Sequence, residues 1–160
     1  MPSAKCGFNN VPGGPPASDL LVRWGPLLFV DIGFDQNYKF VAGGAPPIPG
    51  KTKLPALVDT GANESCIDSL LAAQLNLPEV DKRMQAGAHG AKKVSMHLAQ
   101  VHIPTLGFTI YGEFAAVDLR VGGQSIDALI GRTFLQRFKM IYDGVTGDVE
   151  ITGPTMPNKP

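Results

Sequence analysis

The chain has 160 residues, 44% of them hydrophobic, and its fourteen basic residues balance fourteen acidic ones. That length suits one domain with a sizeable core and tails. The charge balance excludes a polycation built for nucleic acid, and apolar runs such as Pro26 to Val30 are far too short to cross a bilayer. The opening residues MPSAKCGFNN hold one lysine and no apolar stretch, so no secretory signal is read there and a soluble, cytoplasmic protein is expected. Cys6 and Cys66 make neither a disulfide framework nor a zinc cluster.

Proline marks the boundaries. Nine of the fourteen lie in residues 1–55 and three in the last seven. Residues 1–19 read as a flexible Pro/Gly-rich arm, because little in them repays the entropy of ordering. Residues 20–152 form the expected domain, and 153–160 a tail. Within the domain, Leu20–Val22 and Leu27–Phe34 are strand-like, with Leu28, Val30 and Ile32 on one face of a period-two pattern. Tyr38–Ala42 reads as another strand, and the Gly/Pro loop 43–50 then leads into a strand over Leu54–Asp59.

Helix formers fill 68–75, with Asp68 or Ser69 as the cap and Asn76-Leu77-Pro78 as the stop. Val94–Ile103, Phe108–Val117 and Ser125–Ile130 are further expected strands. Thr133–Phe138 reads as a short helix. Lys139–Tyr142 and Asp148–Thr152 read as a hairpin around Asp143-Gly144. The expected class is all-β, with one or two short helices.

One stretch carries chemistry. In LPALVDTGANESCID (54–68) an apolar run ends in Asp59, followed by the small residues Thr60, Gly61 and Ala62. Asp-Thr-Gly by itself arises by chance in roughly a few per cent of chains this long. A strand ending in a turn explains the tripeptide equally well. Its context is more specific, because some 70 residues later ALIGRTFL (128–135) supplies a second apolar strand that ends in glycine.

The pairing of ALVDTGA with ALIGRTFL resembles the retropepsin-like aspartic proteases, in pattern especially their bacterial members. DALIGRTFLQRFKMIYDGVTGDVEI is similar to that family's closing strand, glycine turn, short helix and final hairpin. The resemblance spans about residues 20–152 and implies a closed β-barrel acid-protease fold. It also implies an aspartic endopeptidase that needs no cofactor and no metal.

In that family the aspartate is half of a dyad. This chain holds no second Asp-Thr-Gly or Asp-Ser-Gly. The resemblance therefore implies a homodimer in which Asp59 of each subunit meets at a two-fold axis. It assigns Thr60, Gly61 and Ala62 to support of the active-site loop, and Asn63, Glu64, Ile130, Gly131 and Arg132 to structural roles beside it. Whether Arg132 pairs with Glu64 or hydrogen-bonds Asn63 stays open at this stage. A flap over the substrate is expected in 84–92, with Gly87, Ala88, His89 and Gly90 at its tip; these residues alone also fit a plain surface hairpin. The partners expected are a second copy and a protein or peptide substrate, with autoprocessing of the N-terminal arm and with neither nucleic acid nor membrane. The alternative function is a non-catalytic dimerisation or peptide-binding module on the same fold.

The remaining histidines, acids, Cys66 and Trp24 fit no catalytic or metal-binding pattern. His97 and His102 differ by an odd number and so face opposite sides of one strand, and no acidic or cysteine partner sits at zinc-ligand spacing. Asp31 and Asp35 read as solvated, Cys66 as a small buried hydrophobe and Trp24 as packing or subunit contact.

Overall fold

The computed structural model describes residues 1–153, and the expected tail lies outside the described residues except for Gly153. Ten strands and three helices follow in the order β1 (Ser3–Lys5), α1 (Ala17–Trp24), β2 (Leu27–Gly33), β3 (Lys51–Val58), β4 (Cys66–Asp68), α2 (Ser69–Gln74), β5 (Glu79–Gly87), β6 (Gly90–Ile103), β7 (Phe108–Val117), β8 (Ala128–Ile130), α3 (Arg132–Leu135), β9 (Lys139–Asp143) and β10 (Asp148–Thr152). A 3-10 turn at Pro104–Leu106 links β6 to β7.

Seven strands form one sheet in the order β2-β3-β8-β4-β7-β6-β5, and a further β2–β6 pairing closes it on itself. Closure removes most free edges. Two of the pairings are parallel, β3 with β8 and β4 with β7. The alternation read in β2 holds: Leu28, Val30 and Ile32 are buried, while Phe29 between them is 59% exposed. Those side chains join Ala56, Val58, Val101, Ile103 and Ile130 in the main core. A second cluster gathers Cys66, Val94, Met96, Ala115, Leu119 and Ile126, with Leu27, Leu57, Val117 and Leu129 packed against it. Period two accounts for the split. Val58 and Ile130 point into the main core, and their neighbours Leu57 and Leu129 point to the opposite face.

The N-terminal residues are not a free arm. Ser3–Lys5 pair with Thr152–Glu150 in a second sheet, β1-β10-β9, and Ala4 and Cys6 are buried. Backbone pairing to a strand some 145 positions away repays the ordering entropy, and composition alone does not reveal such a partner. Leu20–Val22 belongs to a helix and not a strand. Ala17 and Leu21, four positions apart, are its buried residues, and Asn10 Oδ1 accepts from the Ala17 N–H at 2.8 Å. That helix presses on the β9–β10 turn so closely that a Cβ at Gly147 would sit 2.4 Å from Ala17 backbone.

Tyr38–Ala42 is loop, because its aromatic residues pack outward on Tyr111 rather than into a ladder. The strand expected from Ser125 is confined to Ala128–Ile130, and the helix expected at Thr133–Phe138 runs Arg132–Leu135. Phe134 anchors that short helix, stacked on Phe138 at 4.3 Å between centroids and edge-on to Phe108 at 5.5 Å. α2 carries the cap read for it: Asp68 accepts from the Leu71 N–H at 3.2 Å. Strand β5 has no apolar alternation to betray it, since all nine of its residues are exposed.

Candidate active site

Asp59 follows the last residue of β3, and its N–H donates to the Ile130 carbonyl at 2.9 Å, extending the parallel β3–β8 ladder by one rung. The chain then turns sharply. Gly61 N–H donates to Asp59 Oδ1 at 2.8 Å, and Ala62 N–H to the Asp59 carbonyl at 3.2 Å. A Cβ at Gly61 would stand 3.0 Å from that same carboxylate oxygen. The turn therefore holds the carboxylate in a fixed direction while Thr60 and Gly61 stay exposed at the surface.

The second apolar strand braces this loop from behind. Gly131 N–H donates to Ser65 Oγ at 3.0 Å, Arg132 N–H to the Ala62 carbonyl at 2.9 Å and Thr133 N–H to the Asn63 carbonyl at 2.9 Å. A Cβ at Gly131 would lie 2.6 Å from the Glu64 carbonyl, so close approach is what requires glycine there. The Arg132 guanidinium donates to the Thr60 carbonyl at 2.8 Å and to Asn63 Oδ1. Of the two alternatives for this arginine, the partner is Asn63. Asp59, Thr60, Gly61, Ala62, Asn63, Glu64, Ile130, Gly131 and Arg132 thus form one contiguous unit.

Gly87, Ala88, His89 and Gly90 sit at the tip of the β5–β6 hairpin, where Gly87 pairs with Gly90 across the Ala88-His89 turn. Gly90 has φ +105°, a conformation that side-chain-bearing residues rarely adopt. The arms of the hairpin lead down to Val94 and Met96, which pack with Cys66, Leu57 and Leu129 in the second apolar cluster. Two ion pairs tie the hairpin to its surroundings, Arg83 with Glu113 and Lys92 with Asp118 at 3.1 Å, and Arg83 also pairs with Asp81 on its own strand. Ser69 donates to the same Asp118, and these donors hold its carboxyl below the usual carboxylate range.

Cys66 is 4% exposed, and burial pushes its thiol up to about 11, with the charges of Asp59 and Asp68 adding to the effect. It is a neutral, packed side chain at ordinary pH, not a nucleophile. Asp31 and Asp35 serve the backbone. Asp31 accepts from the Lys53 N–H, and Asp35 from the N–H groups of Asn37 and Ile48. His97 Nδ1 donates to the Leu77 carbonyl, and His102 Nδ1 lies 2.9 Å from Thr109 Oγ1. Trp24 is partly exposed beneath the Arg23 guanidinium.

Three residues around the site escape a reading of the sequence, and a fourth, Asp68, is legible there only as a helix cap. Ser65 fixes the Gly131 turn. Asp68, fully buried, serves more than a helix cap: it also accepts from the N–H groups of Leu119 and Arg120. Arg120 and Asp127 form a two-pronged ion pair. The available signal was slight: an acid immediately before the apolar run ALI, and a serine six positions after Asp59.

Residues 47–137 match the family model described as "gag-polyprotein putative aspartyl protease". Among solved structures, the chain is similar to the EIAV protease complexed with the inhibitor HBY-793, with 19% identity and a TM-score of 0.46 over 69% of this chain and 85% of that one. It is also similar to the simian foamy virus (mac) protease in solution, with 14% identity and a TM-score of 0.43 over 69% of this chain and 91% of that one. No curated protein matches.

Proposed function

Because the chain belongs to the aspartyl protease family of gag polyproteins, retropepsin-like in kind, we propose that it is an aspartic endopeptidase working as a homodimer. The observation that carries this reading is the Asp59 loop itself. Its carboxylate is held by the Gly61 N–H on an exposed turn braced by Arg132, and the sequence supplies one such loop where the chemistry needs two. A second copy related by a two-fold axis supplies the other.

The chemistry follows from bringing two Asp59 carboxylates together. At a separation of about 3 Å they do not both ionise, so the pair holds one proton between them, as in the known aspartic protease dyads. The ionised member takes a proton from a water molecule as that water attacks the scissile carbonyl carbon. The protonated member donates to the carbonyl oxygen as charge develops there. Collapse of the tetrahedral intermediate then returns a proton to the leaving nitrogen. The apparent pKa values belong to the pair, and the pH optimum is expected on the acid side.

The substrate lies extended between the β5–β6 hairpin and the dyad, pairing by its backbone in the manner of an added strand. Gly87, Ala88, His89 and Gly90 close over it, and the backbone of Ala62 faces it. Leu57 and Leu129, only partly buried, offer apolar surface to its side chains, and the buried Cys66 and Val94 pack against them. The supporting observation is that these four pack in one cluster, on the face of β3 and β8 turned away from the main core.

An Asp59→Asn variant tests the assignment. The expected result is cleavage of denatured casein by the wild type at acid pH, and loss of that activity by roughly 10²–10⁴-fold in the variant. Equal cleavage by both proteins would overturn the dyad. Peptide binding by both without cleavage at any pH from acidic to neutral would favour the non-catalytic binding module.

A further inference from the structure

Residues 118–127 connect β7 to β8 and bring Leu119 and Ile126 into the apolar cluster that also holds Leu57, Leu129 and Cys66. Leu57 and Leu129 are register partners in β3 and β8, two positions before Asp59 and Gly131. This connection therefore forms a wall against Leu57 and Leu129, with its own Leu119 and Ile126 buried at the contact. Its tip places Gly122 and Gly123 together, Gly123 at φ +89°, with Val121 largely exposed, and the Gly123 N–H donates to the Arg120 carbonyl at 3.0 Å.

Two buried carboxylates hold both ends of that wall. Asp68 accepts from the Leu119 and Arg120 N–H groups at 3.1 and 3.0 Å. Asp127, 4% exposed, receives Arg120 Nε at 2.8 Å and Nη2 at 3.0 Å, a fork that lysine does not reproduce. The Asp127 backbone is fixed as well: its N–H donates to the Pro55 carbonyl at 2.8 Å, and its carbonyl accepts from the Asp68 N–H at 2.9 Å. Arg120 thus ties the start of the connection to its end, adjacent in sequence to the two side chains, Leu119 and Ile126, that enter the cluster. A well-packed apolar pair in place of this ion pair would fill space equally well. What the fork adds is a single geometry for a loop that contains two glycines.

We propose that Arg120 is a positioning residue for substrate. Its grip on Asp127 fixes 118–127 as the wall against which a substrate side chain packs, and it acts through Leu119 and Ile126 and not at the scissile bond. The inference rests on the proteolytic reading of Asp59.

The test compares the full-length wild type with Arg120→Met, Arg120→Lys and the double variant Arg120→Met/Asp127→Asn. The double variant leaves no buried carboxylate without its partner and so guards against simple misfolding. Each protein is checked for folding by circular dichroism and assayed on peptides varied at the positions flanking the cleaved bond. Arg120→Met and the double variant are expected to raise KM by about tenfold and broaden the flanking preference, with kcat nearly unchanged and Arg120→Lys intermediate. Folded variants that match the wild type in KM and preference overturn the proposal. A loss explained wholly by a smaller folded fraction does the same, because it marks a structural role alone. A wild type that cleaves no peptide removes the proteolytic reading and this inference with it, whereas cleavage with unmoved KM removes only the inference.

Discussion

The guanidinium of Arg132 and the carbonyl of Thr60, 72 positions apart in the chain, meet at 2.8 Å. Through that bond and its contact with Asn63, the helix after the Gly131 turn holds the loop that presents Asp59. Arg132→Lys keeps the charge and loses the fork, so it cannot serve both acceptors in one plane. It is expected to lower kcat/KM by roughly ten- to a hundredfold and stability by about 1–2 kcal/mol. Steady-state kinetics and urea unfolding measure the two effects. Wild-type values on both would show that the loop holds its shape without the arginine.

Gly131→Ala addresses the same junction from the backbone. Its Cβ would lie 2.6 Å from the Glu64 carbonyl, a distance that real Cβ contacts do not show, so the strand end or the Asp59 loop must shift. Overpacking of this kind typically costs about 1–3 kcal/mol. Urea unfolding should show that loss, with activity falling further than stability because the displaced residues, Ala62 and Glu64, belong to the loop that carries Asp59. A variant as stable and as active as the wild type would mean that the junction relaxes freely.

Much of this site was legible in the sequence, and the parts that were not share a cause. The β2 alternation, the α2 cap, the DTGA turn and the ALIGR strand are local signals, readable from spacing and turn chemistry. Strand β1 was not legible, because its partner β10 lies at the far end of the chain. Helix α1 was missed because three apolar-rich residues, Leu20–Val22, do not distinguish a period of 2 from one of 3.6 when only Ala17 and Leu21 become buried. Strand β5 projects beyond the core with every residue exposed, so no hydrophobic pattern marks it. Asp127 looks like an ordinary surface acid, and Asp68 like no more than a helix cap, until the sheet closes around them.

Asp68 also supports a stability prediction. Its carboxylate is fully buried and takes three backbone N–H groups, from Leu71, Leu119 and Arg120. Asp68→Ala would leave all three donors without that acceptor, at about 1–3 kcal/mol each where water cannot reach them. A loss of at least ~3 kcal/mol in chemical denaturation is expected, together with faster hydrogen exchange at Leu119 and Arg120. A loss below about 1 kcal/mol would mean that water replaces the carboxylate.

The two thiols give a prediction with a defined pH window. Burial pushes Cys6 up to about 12 and Cys66 up to about 11, from an ordinary value of 9.0. The folded state therefore holds these protons more tightly than the unfolded chain does. The resulting stability is fully present below pH 9 and is lost as pH rises through about 9 to 11 for Cys66, and to about 12 for Cys6. At neutral pH both are packed thiols, so alkylation by iodoacetamide should be slow in the native protein and rapid in urea, as mass spectrometry would show. Cys66→Ala should flatten the alkaline decline between pH 9 and about 11, leave the decline from Cys6 up to about 12, and leave the acid limb of stability unchanged. Rapid native-state alkylation of Cys66 at pH 7 would show that the apolar cluster beside Asp59 opens readily, and would undercut a pre-formed substrate wall on that face.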